Sequence, residues 1–319
     1  MQPATIIEEL WFEPESAAAA NQTAAASFAA RLTQAQGLKT FPAVAQTILS
    51  IFANDQFRVG EVVEAIEEDP SLASSVLRMA NSAFFVSNHP VTEMNQAFMR
   101  IGAQHVKEIV CAVATMEMFN DVDGLGMQIR DHCAAVAGLS HFLAREYVRG
   151  KLEGLFLAGL LHDIGKLMLL DSNEMDYHAG SPSTLTPDLT HIYEQKRLGY
   201  DHAVLAGHIA ATWNFGAIIS RAIAWHHQPK RALAHEKLSK HVAALRLADQ
   251  IDYILLAANE DYERDAVMLE KTDEARLLQI SASQLLNSWG DLYRVRNDAL
   301  ITFSPRNERL SSAGAQPMY

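Results

Sequence analysis

Five short segments of the chain carry histidine or aspartate side chains that could bind a divalent metal ion. Each segment lies on a different predicted helix: His132, His162–Asp163, His202, His226–His227 and Asp249. Imidazole and carboxylate groups are ligands suited to Zn, Fe, Mn or Ni. Because helical bundles commonly build metal sites from side chains on facing helices, these segments could converge on one centre.

The segment 155–170 places charged groups in an almost entirely apolar sequence. Its composition predicts one helix that is buried on every side. Lys166 follows Asp163 by three positions and therefore lies on the same face of that helix. A buried carboxylate is costly unless a metal ion, a histidine or a lysine compensates its charge. The segment is too short, and too charged at its centre, to be a membrane span.

Length and composition suit a protein with a sizeable core. The 319 residues favour about two domains, and 49% of them are hydrophobic. The net charge of −12 disfavours nucleic acid or an anionic membrane as a general partner. Cys111 and Cys133 lie in apolar helical patterns and are interpreted as reduced core residues. With no signal peptide visible at the N-terminus, we expect a cytoplasmic protein.

Hydrophobic periodicity along the chain predicts an all-α fold. We expect an N-terminal extension (1–36), an N-terminal helical subdomain (37–120), an HD-like helical bundle (126–300) and a disordered tail (305–319). The loop at 172–188 could act as a lid. The predicted helices are 44–52, 59–68, 71–81, 91–101, 103–119, 127–148, 155–170, 191–198, 201–213, 217–226, 238–258 and 273–300.

The order of the motifs resembles the HD superfamily of metal-dependent phosphohydrolases. Within it, the chain is more similar to the HDOD family, the "HD-related output domain" of bacterial signalling proteins. His202 and His226–His227 resemble the extra histidines of two-metal members such as the HD-GYP phosphodiesterases. The resemblance covers roughly residues 30–300 and includes LKTFPAV (38–44), EDPSL (68–72), VLRMANS (76–82), HD-GK (162–166) and IAWHHQP (223–229).

This resemblance implies a centre for one or two divalent ions, which could be Fe, Mn, Ni, Zn or Mg. A first ion would be held by His132, His162, Asp163 and Asp249. A second would be held by His202 and His226, with His227 as a further candidate and Asp163 as the bridge. Asp163 and Lys166 would be the catalytic residues, with Lys166 neutralising phosphate charge or protonating a leaving group.

Other interpretations of the later histidines and of the N-terminal motif remain open. Taken without its context, His202 is more often a hydrogen-bonded histidine than a ligand. His226 and His227 diverge by about 100° on an ideal helix, so at most one of them is expected to face the centre. Arg78 and Asn81 could cap a helix rather than form a binding surface.

The carboxylates of the proposed centre also have alternatives. Asp252 lies three residues after Asp249 on the same helix face and could take its place. The family pattern favours Asp249. Lys166 could form a simple ion pair with Asp163 in an empty site.

The sequence after Lys166 departs from the active two-metal enzymes. They carry a GYP signature soon after the His–Asp helix, whereas LMLLD follows Lys166 and Gly199–Tyr200–Asp201 lies too far along. We therefore expect a bacterial signalling output or scaffold module with a metal or ligand pocket, and not an efficient phosphodiesterase. Its partner would be a signalling protein or a small phosphorylated ligand. The alternatives are a phosphohydrolase acting on a nucleotide or cyclic dinucleotide and, more weakly, a nucleic-acid-linked regulator.

Overall fold

The protein is all-α over the residues that the structure describes. This computed structural model describes residues 41–303, except for 55, 83–84, 86–88, 120–123, 149–151, 176, 178–186 and 258–260. Every regular element in that part of the chain is a helix. None of these helices has both the length and the apolar character needed to cross a membrane. The predictions for 1–36, for 305–319 and for most of the lid fall outside the described residues.

The N-terminal helices form a small layer of their own around α5. They are α1 (Ala43–Phe52), α2 (Val59–Glu67), α3 (Pro70–Ala80), α4 (Met94–Ile101) and α5 (Ala103–Glu117). The carboxylate of Asp69 caps α3 by accepting from the backbone N–H groups of Ser71 and Leu72, with Pro70 at the first helical position. α5 packs against α1 and α3.

Asn81 ties the end of α3 to the segment before α4. Its side-chain amide donates to the carbonyl of Val91 at 2.8 Å, and its Oδ1 accepts from the N–H of Val91 at 2.7 Å. The backbone of Val91 is therefore paired with a side chain, and the helix predicted from residue 91 begins at Met94 instead. Arg78 donates to the hydroxyl groups of Ser74 and Ser75 within its own helix. Arg78 and Asn81 therefore both form hydrogen bonds within the N-terminal helices.

The helical bundle that carries the histidine motifs is built around α6. Its helices are α6 (Gly124–Tyr147), α7 (Leu155–Leu161), α8 (Ile164–Asp171), α9 (Pro187–Leu198), α10 (His202–Thr212), α11 (Ala217–Ala224) and α12 (Glu236–Leu256), with a 3₁₀ turn at Pro229–Ala232. α6 packs against α7 and α12, while α10 packs against α8 and α11. α5 of the N-terminal layer also contacts α7.

The prediction of one continuous helix over 155–170 is wrong, because the helix is interrupted at the His–Asp pair. α7 ends at Leu161 and α8 begins at Ile164. Asp163 has φ −107° and ψ 9°, outside the helical region. On a regular helix adjacent side chains diverge by about 100°. The interruption lets the side chains of both His162 and Asp163 reach the same buried space.

The prediction of a single last helix over 273–300 is also wrong. The segment forms α14 (Asp273–Leu278), α15 (Ala282–Asn287) and α16 (Trp289–Phe303), and it is preceded by an unpredicted helix, α13 (Tyr262–Glu270). Gln279 ends α14 in the left-handed conformation at φ 58°. The hydroxyl of Ser281 then caps α15 by accepting from the N–H of Gln284. These local signals interrupt the helical periodicity.

Two glycines allow the helices around the His–Asp pair to approach closely. A β-carbon at Gly159 would lie 2.7 Å from Cα of Ala137, where α7 crosses α6. A β-carbon at Gly165 would collide with the carbonyl oxygen of His202, where α8 meets the start of α10. Gly159 thus brings α7 onto the helix that carries His132, and Gly165 brings Asp163 beside His202.

Candidate metal centre

The four residues expected to hold a first ion lie together in the middle of the bundle. α6 supplies His132, the α7–α8 interruption supplies His162 and Asp163, and α12 supplies Asp249. Nε2 of His132 lies 3.1 Å from Oδ1 of Asp249, 3.2 Å from Nε2 of His162 and 3.8 Å from Oδ2 of Asp163. Nε2 of His162 is 3.6 Å from Oδ2 of Asp163 and 4.0 Å from Oδ1 of Asp249. All four residues are buried.

The remaining candidate ligands lie on the other side of Asp163. Oδ1 of Asp163 is 3.0 Å from Nε2 of His202 and 4.0 Å from Nε2 of His226. Nε2 of His227 lies 3.0 Å from Nε2 of His202. The two oxygens of Asp163 therefore face different groups of imidazoles, with Oδ2 directed to the first group and Oδ1 to the second.

The expectation that only one of His226 and His227 can face the centre is wrong in its premise. It assumed a helix over 217–226, but α11 ends at Ala224 and both histidines lie in the turn that follows. Their ring centroids are 4.0 Å apart, and both rings reach the group around His202. A non-helical turn can direct adjacent side chains to one place.

Asp252 has a different place in the centre from Asp249. Oδ2 of Asp252 lies 2.7 Å from Nδ1 of His132, on the side of the ring that faces away from the other ligands. Its Oδ1 accepts from Nε of Arg296 at 2.6 Å. A carboxylate behind a metal-binding histidine is a common arrangement that orients the ring. The two aspartates of α12 thus bracket His132, with Asp249 on the ligand side.

Three other histidines also have an acceptor behind the ring. Nδ1 of His162 is 2.7 Å from the carbonyl oxygen of Gly159, and Nδ1 of His226 is 2.7 Å from that of Ile223. A carbonyl oxygen can only accept, so each Nδ1 carries the proton and each Nε2 is left as a lone-pair donor. Nδ1 of His202 is likewise 2.6 Å from Oε2 of Glu194.

Glu194, Arg246 and Arg296 are residues of the centre that were not predicted from the sequence. All three lie outside the HD and HH motifs, on α9, α12 and α16. They reach the centre through tertiary packing, and no local spacing in the sequence links them to the residues that they contact.

Lys166 forms the ion pair that was considered as an alternative to a catalytic role. Its Nζ lies 2.6 Å from Oδ2 of Asp163, and both side chains are buried. Burial raises the pKa of Asp163, but Lys166, His162 and His202 outweigh that effect and hold it well below the usual range. Asp163 is therefore ionised, and Lys166 offsets its charge.

Carboxylates also change the protonation of two histidines in the centre. Burial lowers the pKa of His132, but hydrogen bonds to Asp249 and Asp252 outweigh it and raise the pKa to about 10. Burial likewise lowers the pKa of His202, and Glu194 and Asp163 raise it to about 9. The pKa of Asp249 falls to about 2, because His132 outweighs burial. The centre thus combines ionised carboxylates with two imidazoles, His132 and His202, whose affinity for a proton is raised.

The residues present fit a bound cation. Among the described residues of the centre, three buried atoms lack a well-directed hydrogen bond: Oδ1 of Asp163, Oδ2 of Asp249 and Nε2 of His226. Buried polar atoms without partners are costly, and bound metal ions would satisfy all three. The thiol of Cys133 belongs to neither group of side chains that could hold one ion, and burial raises its pKa well above the usual value.

Solved structures with this arrangement of helices come from several bacteria. A protein from Shewanella amazonensis, described as a proposed metal-dependent phosphohydrolase, is 21% identical with a TM-score of 0.64, covering 89% of this chain and 98% of its own. A second from that organism, described as a proposed phosphohydrolase, is 24% identical with a TM-score of 0.63, covering 84% and 97%. An HDOD domain protein of unknown function from Geobacter sulfurreducens is 18% identical with a TM-score of 0.62, covering 88% and 97%. At identities of 18 to 24%, the similarity to these structures establishes the fold of this chain and no more than the fold.

Sequence comparison identifies the family. An uncharacterised protein from Treponema pallidum is 21% identical over 212 residues, which are 64% of this chain and 39% of that protein. The chain thus spans well under half the length of this relative. A model of the HDOD domain matches residues 38–229, which include His132, His162–Asp163, His202 and His226–His227. With its motifs in order and its helices in the same arrangement, the chain belongs to the HDOD family.

Proposed function

We propose that the chain is a bacterial, cytoplasmic signalling module whose HD centre binds two divalent metal ions and, at those ions, a small phosphorylated ligand such as a nucleotide or cyclic dinucleotide. The occupied centre would be recognised by a partner signalling protein. The net charge of −12 disfavours nucleic acid and anionic membrane surfaces as partners.

The observation that carries this proposal is the position of Asp163 between two groups of imidazoles. Its Oδ2 lies within 3.8 Å of Nε2 of His132 and of His162, and its Oδ1 lies within 4.0 Å of Nε2 of His202 and of His226. A carboxylate in this position can bridge two ions. Both groups consist of nitrogen and oxygen donors without a thiolate, which suits Fe, Mn, Ni or Zn better than Mg.

The ligand class follows from the charge that such a centre would carry. Divalent ions bound there would supply Lewis acidity, which polarises phosphoryl oxygens and lowers the pKa of water. Asp249 and Asp163 are the ionised carboxylates on the ligand side, while Asp252 and Glu194 lie behind His132 and His202. With two ions added, the centre would be positively charged and would favour an anion.

Hydrolysis of that ligand is a second candidate function. The observation that favours it is that each group offers at most four protein donors, so a six-coordinate ion would keep open positions, as catalytic metal sites require. Against efficient turnover, the ammonium group of Lys166 already contacts Asp163 at 2.6 Å. A lysine held in this way offers little to stabilise charge that develops on a leaving group. We therefore expect binding with weak or no turnover.

Elemental analysis of the full chain tests the proposal directly. Protein loaded with Mn²⁺, Fe²⁺ or Ni²⁺ and freed of excess metal should retain two ions, and its titration with a cyclic dinucleotide should saturate only in the loaded form. An Asp163→Ala variant is the matched control and should retain neither ion. Wild-type protein that retains no metal would overturn the proposal.

The same preparations separate binding from hydrolysis. A chromogenic phosphodiester and the cyclic dinucleotide should be hydrolysed slowly or not at all. Rapid turnover by the loaded wild type that disappears in His162→Ala and Asp163→Ala would establish the second candidate function instead.

A further inference from the structure

His227 differs from the other histidines of the centre in what lies behind its ring. His132, His162, His202 and His226 each have an oxygen acceptor at Nδ1, at 2.6 to 2.7 Å. That arrangement leaves Nε2 free to bind a metal ion in each neutral ring. In these four histidines, the acceptor at Nδ1 fixes Nε2 as the nitrogen that can bind a metal ion.

Behind His227 there is a donor instead. Nη1 of Arg246 lies 3.2 Å from Nδ1 of His227 and donates to the carbonyl oxygen of His226 at 3.4 Å. The guanidinium is held from its other side by Glu274, whose Oε1 is 3.5 Å from Nε of Arg246. A guanidinium has no acceptor, so Nδ1 of His227 must accept. In the neutral ring, the proton is therefore on Nε2.

This tautomer is incompatible with metal ligation through Nε2. A protonated ring nitrogen has no lone pair for a metal ion, and moving the proton to Nδ1 would place two donors against each other at 3.2 Å. With His202 neutral and its own proton on Nδ1, the Nε2–H bond of His227 points at the lone pair on Nε2 of His202, 3.0 Å away. His227 is thus oriented as a hydrogen-bond donor within the group that would hold the second ion.

The surroundings of His227 place it at the edge of the centre. His202 and His226 are buried, whereas His227 is partly exposed. The ring of His191 stacks on it with centroids 4.5 Å apart and an interplanar angle of 7°, which fixes the plane of the ring. A small molecule that approaches the second group from solvent would meet this N–H group.

We propose that His227 is not a metal ligand but donates a hydrogen bond from Nε2 to a phosphoryl oxygen of the ligand beside the second ion. This inference rests on the proposed function and changes the ligand set, leaving His202, His226 and Asp163 for that ion. Arg246 is then a positioning residue, which fixes the tautomer of His227 without contacting the ligand.

The tautomer can be measured by NMR of ¹⁵N-histidine-labelled, metal-free full chain at alkaline pH, where the rings are neutral. The signals of His226 and His227 are assigned from the variants His226→Gln and His227→Gln. We expect the proton on Nε2 in His227 and on Nδ1 in His226. A proton on Nδ1 of His227 would overturn the proposal whether or not the protein binds metal.

Metal content and phosphate affinity test the assigned role. In metal-loaded protein, His227→Gln and His227→Ala should both retain two ions, whereas His226→Gln should lose one. Glutamine preserves an N–H group near the position of Nε2. Inorganic phosphate should therefore bind His227→Gln within about threefold of the wild-type affinity and His227→Ala at least about tenfold more weakly, as the loss of a hydrogen bond to a charged group predicts.

The outcomes separate this inference from the proposed function. Loss of one ion from His227→Gln, in a wild type that holds two, would show that His227 is a ligand and would overturn the inference alone. Unchanged phosphate affinity in His227→Ala would also overturn it. A wild type that holds no ion would contradict the proposed function, and the NMR measurement would still decide the tautomer.

Discussion

Two histidine clusters in this protein differ in the groups that face their imidazoles. In the metal centre, Asp249 and Asp252 flank His132 and raise its pKa to about 10. The second cluster consists of His105 and His141. It lies where α5 meets α6 and α7, beside a cavity of about 650 Å³. There, burial, His105 and Arg145 together lower the pKa of His141 to about 4.

The second cluster also contains a carboxylate, but amide groups satisfy it. Oε1 of Glu108 accepts from the side chain of Gln104 at 2.8 Å and from the backbone N–H of Gly154 at 3.0 Å. Burial raises the pKa of Glu108. The comparison teaches that clustered histidines alone do not indicate a metal site. Carboxylates directed at the imidazoles, together with polar atoms left without partners, do.

The largest effect is expected from removing the carboxylate that joins the two groups of the centre. Asp163→Ala should lose both ions and should also be destabilised by about 3–5 kcal/mol, because Lys166 would be left buried without its partner. Elemental analysis and urea denaturation measure the two effects. The double variant Asp163→Ala/Lys166→Met should recover most of the stability and none of the metal. Retention of both ions by the single variant would remove Asp163 from the bridging position.

Metal removal should destabilise the wild type alone. An ion that binds only the folded chain contributes about 2.7 kcal/mol at a free concentration of 100 times Kd. Chelator should therefore lower the melting temperature of the loaded wild type and leave that of the double variant unchanged. An equal shift in both proteins would mean that the stabilising ion lies elsewhere.

A smaller effect is expected from the carboxylate behind His132. Asp252→Asn should weaken metal binding about 10- to 100-fold while preserving the number of sites, because Asp252 orients a ligand without being one. The matched control is His141→Phe in the second cluster, which should leave metal affinity unchanged. Competition with a metal-binding dye measures both affinities, and loss of a whole site in Asp252→Asn would place Asp252 among the ligands.

The smallest effect is a pH dependence of stability that arises in the second cluster. His141 has a pKa of about 4 in the folded protein against 6.5 for an unperturbed imidazole, so the unfolded chain binds a proton first as the pH falls. Stability from this group is complete above about pH 6.5 and is lost as the pH falls towards 4. Between pH 7 and pH 5, we expect wild type to lose about 2 kcal/mol more than His141→Phe. Parallel urea titrations that show no difference would contradict the assignment.

The sequence predicted the helices and the motif residues because both follow from local patterns. Periodicity located α1, α2, α5 and α6, and the motif order located the histidines that the structure brings together. It missed the interruption at Asp163 because the stretch around it is apolar on every side. It joined 273–300 into one helix because the caps at Gln279 and Ser281 do not disturb the hydrophobic spacing.

The groups behind the histidines could not be predicted from local sequence. Glu194 lies eight residues before His202, and Arg296 lies 44 residues after Asp252. Their pairing depends on how α9, α10, α12 and α16 pack. The same holds for Arg246, whose donor at Nδ1 of His227 distinguishes that ring from its neighbour in the chain.

The most direct test of the central claim, that Asp163 joins two ions in one centre, is electron paramagnetic resonance of the Mn²⁺-loaded full chain. The account predicts two Mn²⁺ ions with the spectrum of a magnetically coupled pair. It also predicts that His226→Gln converts this spectrum to that of a single isolated ion. Two uncoupled ions in the wild type, or one ion whose binding survives Asp163→Ala, would contradict the account.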